Sequence, residues 1–288
     1  MPQKSIKLKA LVKIVRYPNL LIIITTQLLC AAWLTPDETN VWTTISFWFT
    51  VMATLCIAAG GYIINDIFDF EADAINKPHK VIITKENKST YGLTYYGLSI
   101  LGILFGLAAS IYVGLVCVAM VALLYYYSFR LKKVAFWGNF SVAVMSAAVL
   151  LILLIIFPTI ETFAVWIYAA FAFFTTLVRE VTKDIEDIEG DQKANYNTLP
   201  ITKGTSFAKN LAIAEAALLL VCILAFAIWC FLHFRFLAFY YLILLTGLPT
   251  VGLGLLLYWA TEKKHYSQAS LLSKLIMVSG IVSMYFIL

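Results

Sequence analysis

Four oxygen-bearing side chains, Asn65, Asp66, Asp69 and Asp73, fall within nine consecutive positions of the chain. They follow a long apolar run, so the stretch is expected to be helical, and intervals of three and four residues put Asp66, Asp69 and Asp73 on one helix face, which Asn65 joins four residues before Asp69. At 1.5 Å rise per residue the array covers about 12 Å. Carboxylates that close repel one another unless positive charge sits among them. A second array, Asp184, Asp187 and Asp191, repeats the aspartate spacing at a constant offset of 118 residues. Oxygen ligands of this kind suit Mg²⁺, which commonly takes one or two protein carboxylates and gives its other positions to water and substrate phosphate. The two arrays therefore suggest two magnesium ions around one diphosphate. The plainer alternative, acidic residues that only solvate helix ends, does not account for the repeated spacing. It is the preferred reading for Glu71, Glu186 and Glu189, which point elsewhere on the helix.

A diphosphate also calls for cationic donors. Arg16, Lys80, Arg130, Lys132 and Lys183 belong at the same membrane depth as the carboxylates, although membrane-surface anchoring is a sufficient reason for any one of them alone. Lys183 directly precedes Asp184. Tyr62, Phe68, Tyr125, Tyr126, Tyr127, Phe129, Trp137 and Phe140 lie near the same face. An interfacial aromatic belt is the common reason for such residues, but their ring faces also attract a developing carbocation, so two or three are expected to act, with Tyr127 a candidate. Glu215 lies inside an apolar run near its inner end, where an ionisable residue is by default a functional candidate or reaches the interface. His79, His233 and His265 show no metal spacing, and the five cysteines lack any Cys-x-x-Cys pair, so neither zinc nor a disulfide framework is implied.

These side chains must be positioned by membrane helices. Of 288 residues 62% are hydrophobic and 13% charged, which is the composition of a polytopic membrane protein. Apolar runs predict nine spans: 19–34, 42–64, 91–110, 111–128, 135–157, 163–178, 208–232, 236–259 and 271–288. No polar linker divides them, so residues 1–288 are read as one domain. With the N-terminus in the cytoplasm, twenty of the twenty-one basic residues fall in inner segments and Arg235 alone lies outside. Both acidic arrays then face the cytoplasm, and an odd number of spans sends the C-terminus to the opposite side. Each array leads into an inner loop long enough to carry partly helical lids over the site, with 193–200 the less regular part. Gly102 and Gly106 give the third span a small-x-x-x-small face for close packing. The first apolar run is read as a retained span, because Leu28-Leu29-Cys30 has a bulky residue where a lipoprotein signal wants a small one.

Asn65-x3-Asp69-x3-Asp73 with Asn76-Lys77-Pro78, and Arg179-Glu180-x2-Lys183-Asp184-x2-Asp187-x2-Gly190-Asp191 with Thr198-Leu199-Pro200, resemble the motifs of the UbiA superfamily of intramembrane prenyltransferases. Arg16-x-Pro18-Asn19 is similar to that family's N-terminal motif, and the resemblance covers nearly the whole chain. It implies an all-α membrane protein: nine transmembrane helices in a UbiA-type bundle, with two pseudo-repeated four-helix halves and a cavity that opens sideways to lipid and is capped on the cytoplasmic side. Carried across, it implies metal ligation by Asn65, Asp66, Asp69, Asp73, Asp184, Asp187 and Asp191. Asp69, Asp73, Asp187 and Asp191 would be the catalytic centre, and Arg16, Asn19, Asn65, Lys80, Tyr127, Arg130, Lys132 and Lys183 the substrate contacts. Within the superfamily the chain is most similar to the digeranylgeranylglyceryl phosphate synthase branch and its bacterial relatives, although it has Lys80-Val81 where members often carry Arg-Pro.

The implied activity is Mg²⁺-dependent transfer of a polyprenyl group, geranylgeranyl in that branch, from its diphosphate to the hydroxyl of a lipid-like acceptor such as geranylgeranylglyceryl phosphate, through an allylic carbocation. An aromatic acceptor, a quinone or pigment precursor, is the alternative within enzymes. A cation-binding transporter is the alternative outside them, disfavoured because transporter sites lie near the midplane. The expected partners are a polyprenyl diphosphate, a lipophilic acceptor and membrane lipid, with no nucleic acid. The expected location is the plasma (inner) membrane, with the active site cytoplasmic.

Overall fold

The structure is a computed structural model that describes residues 8–36, 40–76, 82–84 and 86–287, with the backbone alone for 8, 9 and 71–76. Lys80 and Val81 lie outside the described residues, as does the side chain of Asp73. The short α1 (Leu8–Ile14) precedes α2 (Tyr17–Leu34), α3 (Ile45–Asn76), α4 (Lys88–Ala109), α5 (Ile111–Phe129), α6 (Trp137–Leu151), α7 (Leu153–Ile156) and α8 (Thr162–Glu186). Two short helices, α9 (Ile188–Lys193) and α10 (Leu199–Lys203), lead into α11 (Thr205–Leu232), α12 (Phe236–Tyr241), α13 (Leu248–Trp259) and α14 (Lys263–Ser283). Among the described residues nine helical segments are long and apolar enough to cross a membrane. They coincide with the nine expected spans.

Where the ends differ, local chemistry gives the reason. The last span starts at Lys263 rather than at Leu271, because its first two turns are polar and hydropathy does not register them. A capping box between Glu262 and His265 holds that start. The eighth span is broken by a π-helical turn, Leu242–Gly247, between α12 and α13. Pro249 has no N–H for the Leu245 carbonyl, and the Ser279 hydroxyl of α14 donates to that oxygen instead, at 2.8 Å. Between α4 and α5 only Ser110 intervenes, and its hydroxyl caps α5 by accepting from the Val113 N–H at 3.1 Å.

Helix α8, which carries the second acidic array, packs against α6, α11 and α14, while α3, which carries the first, packs against α4 and α5. Close approach is built from small residues. A methyl group on Gly102 of α4 would lie 2.6 Å from Ile57 Cγ1 of α3, and one on Gly106 would lie 2.6 Å from the Cys117 sulfur of α5. On α2, the buried Gln27 amide donates to Thr54 Oγ1 of α3 and to the Val149 carbonyl of α6, both at 3.1 Å. Three helices are thereby fixed around one internal space. The expected lid segment after the second array is partly helical, as α9 and α10, with an irregular stretch between them.

Candidate active site

A cavity of about 310 Å³ lies between α2, α3, α5, α6, α8 and α14. Ile57, Leu124, Met145, Phe171 and Ile281 supply apolar wall, whereas Arg16, Asn19, Tyr62, Asn65, Arg179 and Glu180 bring polar groups to it. Of the residues expected to touch substrate, Arg16, Asn19, Asn65, Tyr127 and Lys183 line this space. Arg130 is exposed at the C-terminal cap of α5 and is not part of the lining.

Each polar group is held by specific partners. Arg16 caps α2 in the left-handed region (φ 53°), which turns its guanidinium back onto α3. There it donates to Asp66 Oδ1 at 2.8 Å and lies 5.0 Å from the centroid of the Tyr62 ring. One turn on, Asn65 Nδ2 donates to Asp69 Oδ2 at 2.7 Å. The other oxygen of Asp69 is ion-paired with the Lys132 ammonium, which also approaches the side-chain and backbone oxygens of Asn65 at 3.5 Å. Lys132 stands in the 3-10 turn Leu131–Lys133, and its side chain is only 7% exposed. A nearly buried ammonium therefore already occupies an oxygen cradle made by Asn65 and Asp69.

The second array is organised differently. Asp184, on the last turn of α8, accepts from Asn139 Nδ2 of α6 at 2.9 Å. Asp187 ends α8 and begins α9, its carbonyl accepting from the N–H groups of Gly190 and Asp191 at 3.1 Å. Asp191 is buried, and its carbonyl accepts from the Tyr196 N–H at 2.8 Å. Upstream on α8, Glu180 takes both neighbouring cations, Arg179 at 2.6 Å and Lys183 at 3.3 Å. Glu186 is half-exposed, and Glu189 forms an exposed pair with Lys193.

The elements that carry the two arrays adjoin. Helix α9 packs against α3. From the loop beyond α9, the Tyr196 hydroxyl donates to Asp69 Oδ1 at 3.1 Å, and Tyr127 of α5 lies within electrostatic range of both Asp69 and Asp184. Among the described residues no three His, Cys, Asp or Glu side chains gather as a metal-binding group. The Asn65–Asp69 oxygens nonetheless fit a cation, since they hold the Lys132 ammonium.

Four contributors escape sequence reasoning about the site. Tyr196 sits in a loop whose path depends on Asn195 in the left-handed region (φ 56°) and on a backbone bridge from Asn197 to Val134. Asn139 is a polar residue in an apolar run. Glu180 is masked by its charged neighbours. Lys274 of α14 donates to Asn19 Oδ1 at 3.0 Å and lines the cavity; an ionisable residue inside the last span was the available signal.

Comparison with known proteins agrees with this architecture. The sequence profile of the UbiA prenyltransferase family matches residues 23–278. The digeranylgeranylglyceryl phosphate synthase of Ignicoccus hospitalis is 34% identical over 252 residues, covering 82% of this chain and 78% of that protein. The enzyme of the same name from Saccharolobus solfataricus is 36% identical over 181 residues, and the match spans 59% of this chain but only 60% of the relative's length. In fold, the chain is similar to a solved digeranylgeranylglyceryl phosphate synthase structure (TM-score 0.69, 23% identity, 96% of this chain and 98% of the other). It is also similar to a UbiA homologue from Archaeoglobus fulgidus bound to GPP and Mg²⁺ (TM-score 0.61, 13% identity, 96% and 99% covered). With nine membrane-length helices among the described residues, the chain is an integral membrane protein. It belongs to the UbiA prenyltransferase family.

Proposed function

We propose that this protein transfers a prenyl group from its diphosphate to the hydroxyl of a glyceryl phosphate lipid, as the names of its relatives describe for them. The observation that carries this reading is the junction at Asp69, where groups from both acidic regions converge beside an apolar cavity. Asn65, Asp66, Asp69, Asp73, Asp184, Asp187 and Asp191 would hold Mg²⁺. Bound there, Mg²⁺ supplies Lewis-acid neutralisation of the diphosphate. That the A. fulgidus homologue, similar in fold, is bound to GPP and Mg²⁺ supports the choice of Mg²⁺.

In this reading Lys132 and Lys183 face the charge that builds on the departing diphosphate. The apolar walls around Met120, Leu124 and Met145 exclude water and strengthen that attraction. The allylic C–O bond breaks with its electron pair going to the diphosphate. The ring faces of Tyr62 and Tyr127, both in the cavity wall, attract the allylic cation. The acceptor oxygen then bonds to the allylic carbon, and its proton leaves to the diphosphate. A strong base is unnecessary against such an electrophile. The protein acts as one domain in the plasma (inner) membrane, with its N-terminus and site on the cytoplasmic face and its C-terminus on the other.

The test is incubation of the purified full chain with Mg²⁺, radiolabelled geranylgeranyl diphosphate and a panel of glyceryl phosphate and aromatic acceptors. A labelled ether of the glyceryl phosphate acceptor is the expected product. Transfer to aromatic carbon only, or none to any acceptor, would overturn the proposal.

A further inference from the structure

Helices α2, α8 and α14 pack against one another and form one corner of the cavity. Three cations reach that corner: Arg179 and Lys183 from α8 and Lys274 from α14. Arg179 and Lys183 share one carboxylate, Glu180. Lys274 has a neutral partner, the Asn19 amide oxygen at 3.0 Å, and it lies within electrostatic range of the Arg179 guanidinium. An ammonium inside a membrane span, facing a second cation and satisfied by an amide, is costly unless an anion joins it. With Lys183 turned to the diphosphate and Arg179 paired with Glu180, the charge of Lys274 is left with no carboxylate partner among the described residues, and a phosphomonoester, which carries about −1.5 to −2 near neutral pH, answers it.

The same wall continues into an apolar track. On α14 Met277 and Ile281, and in the 3-10 turn that continues it Met284, follow Lys274 at steps of three, seven and ten residues and line the same cavity. That is one helix face about 15 Å long at 1.5 Å rise per residue. On α2, Ile22 and Ile23 follow Asn19 in the same way. A charged head at Lys274 with a hydrocarbon chain alongside α14 is the outline of a single-chain anionic amphiphile. Asn65, Asp69 and Lys132 hold the other polar position, on α3 and the turn after α5.

We propose that Lys274, held by Asn19 and assisted by Arg179, seats the phosphate of the acceptor lipid, so that this corner is the acceptor subsite and selects phosphorylated acceptors. The inference rests on the transfer reaction proposed above and assigns its second substrate a place. Lys274 acts by positioning and selecting the acceptor.

The experiment measures equilibrium binding, without turnover, to the detergent-purified full chain. The probes are a prenyl glyceryl ether phosphate, the same ether without phosphate, and an aromatic hydroxy acid. Lys274→Met is expected to weaken the phosphate ether about 10- to 100-fold, as loss of a charged hydrogen bond does, and to move the unphosphorylated ether less than about 2-fold. Lys274→Arg should restore most of the affinity, and the Kd for prenyl diphosphate, measured in the same way, should not change in either variant. Asn19→Leu, which releases the lysine, is expected to follow Lys274→Met in direction and serves as the reading if that variant loses its thermal transition. Equal loss for both ethers, a loss confined to the prenyl diphosphate, or tighter Lys274-dependent binding of the aromatic acid would overturn the assignment. Because binding is read apart from turnover, a protein that holds the phosphate ether through Lys274 but transfers nothing would refute the reaction alone. Transfer that is indifferent to Lys274 would refute the subsite alone.

Discussion

The Tyr196 hydroxyl donates to Asp69 Oδ1 at 3.1 Å across 127 positions of sequence, joining the loop after the second acidic array to the carboxylate of the first. Because Asp69 also pairs with Lys132, the tyrosine orients a carboxylate that two other groups already hold. Tyr196→Phe deletes that hydrogen bond and keeps the ring, which lies under the Lys132 and Lys133 ammoniums. A bond to a charged group contributes about 1.5–3 kcal/mol to stability, so the variant is expected to melt lower by a matching amount, and loss of the carboxylate's orientation to lower kcat/KM by about 10-fold, equivalent to about 1.4 kcal/mol. Steady-state prenyl transfer in Mg²⁺ measures it, and a variant as active as the parent would remove Tyr196 from the site.

Asp69 and Lys132 form a pair in which the lysine is only 7% exposed. Removing one member strands the other's charge, at a cost of about 3–5 kcal/mol, whereas replacing both by apolar residues of similar volume is often neutral. Asp69→Ala is therefore expected to lose both transfer and thermal stability. The double variant Asp69→Leu with Lys132→Met should recover the melting temperature but no activity. Recovery of activity in the double variant would show that the carboxylate is structural.

Divalent cation and prenyl diphosphate should stabilise the protein jointly. A ligand at one hundred times its Kd adds about 2.7 kcal/mol to stability. Thermal melts with Mg²⁺ and a non-hydrolysable diphosphate analogue are expected to show an upward shift that EDTA reverses and that Asp187→Ala lacks. An equal shift in Asp187→Ala would place the cation elsewhere.

Glu215 of α11 is 3% exposed, and neither of its carboxylate oxygens has a hydrogen-bond partner among the described residues. It is also absent from the cavity lining. An unsatisfied buried polar group costs about 1–3 kcal/mol, so Glu215→Leu is expected to raise the melting temperature by a comparable stabilisation and to leave prenyl transfer intact. A lower melting temperature would reveal a role that its apolar surroundings do not suggest.

The spans could be read from composition because each is a long apolar run with lysine or arginine toward its inner end, and Gly102 reported a helix contact through its size alone. Asp66, Asp69, Asp184 and Asp187 were readable because helical spacing is local and the spacing recurs. What could not be read were relations between distant segments. Nothing near Tyr196 in sequence announces that Asn195 adopts a left-handed conformation and sends the ring to α3. Lys274 looked like one more inner-side charge, since the polar first turns of α14 hid how deep the helix had already run. Asn139 lay inside a hydrophobic run, and only the packing of α6 on α8 gave it a carboxylate to meet.

The join between the loop after α5 and the loop after α9 is made of peptide groups: the Asn197 N–H donates to the Lys133 carbonyl at 2.9 Å, beside the Val134–Asn197 bridge. A fastening of that kind is indifferent to which side chains flank it. Apart from Lys132 and Tyr196, whose side chains reach Asp69, residues of these two loops can change without undoing the fastening.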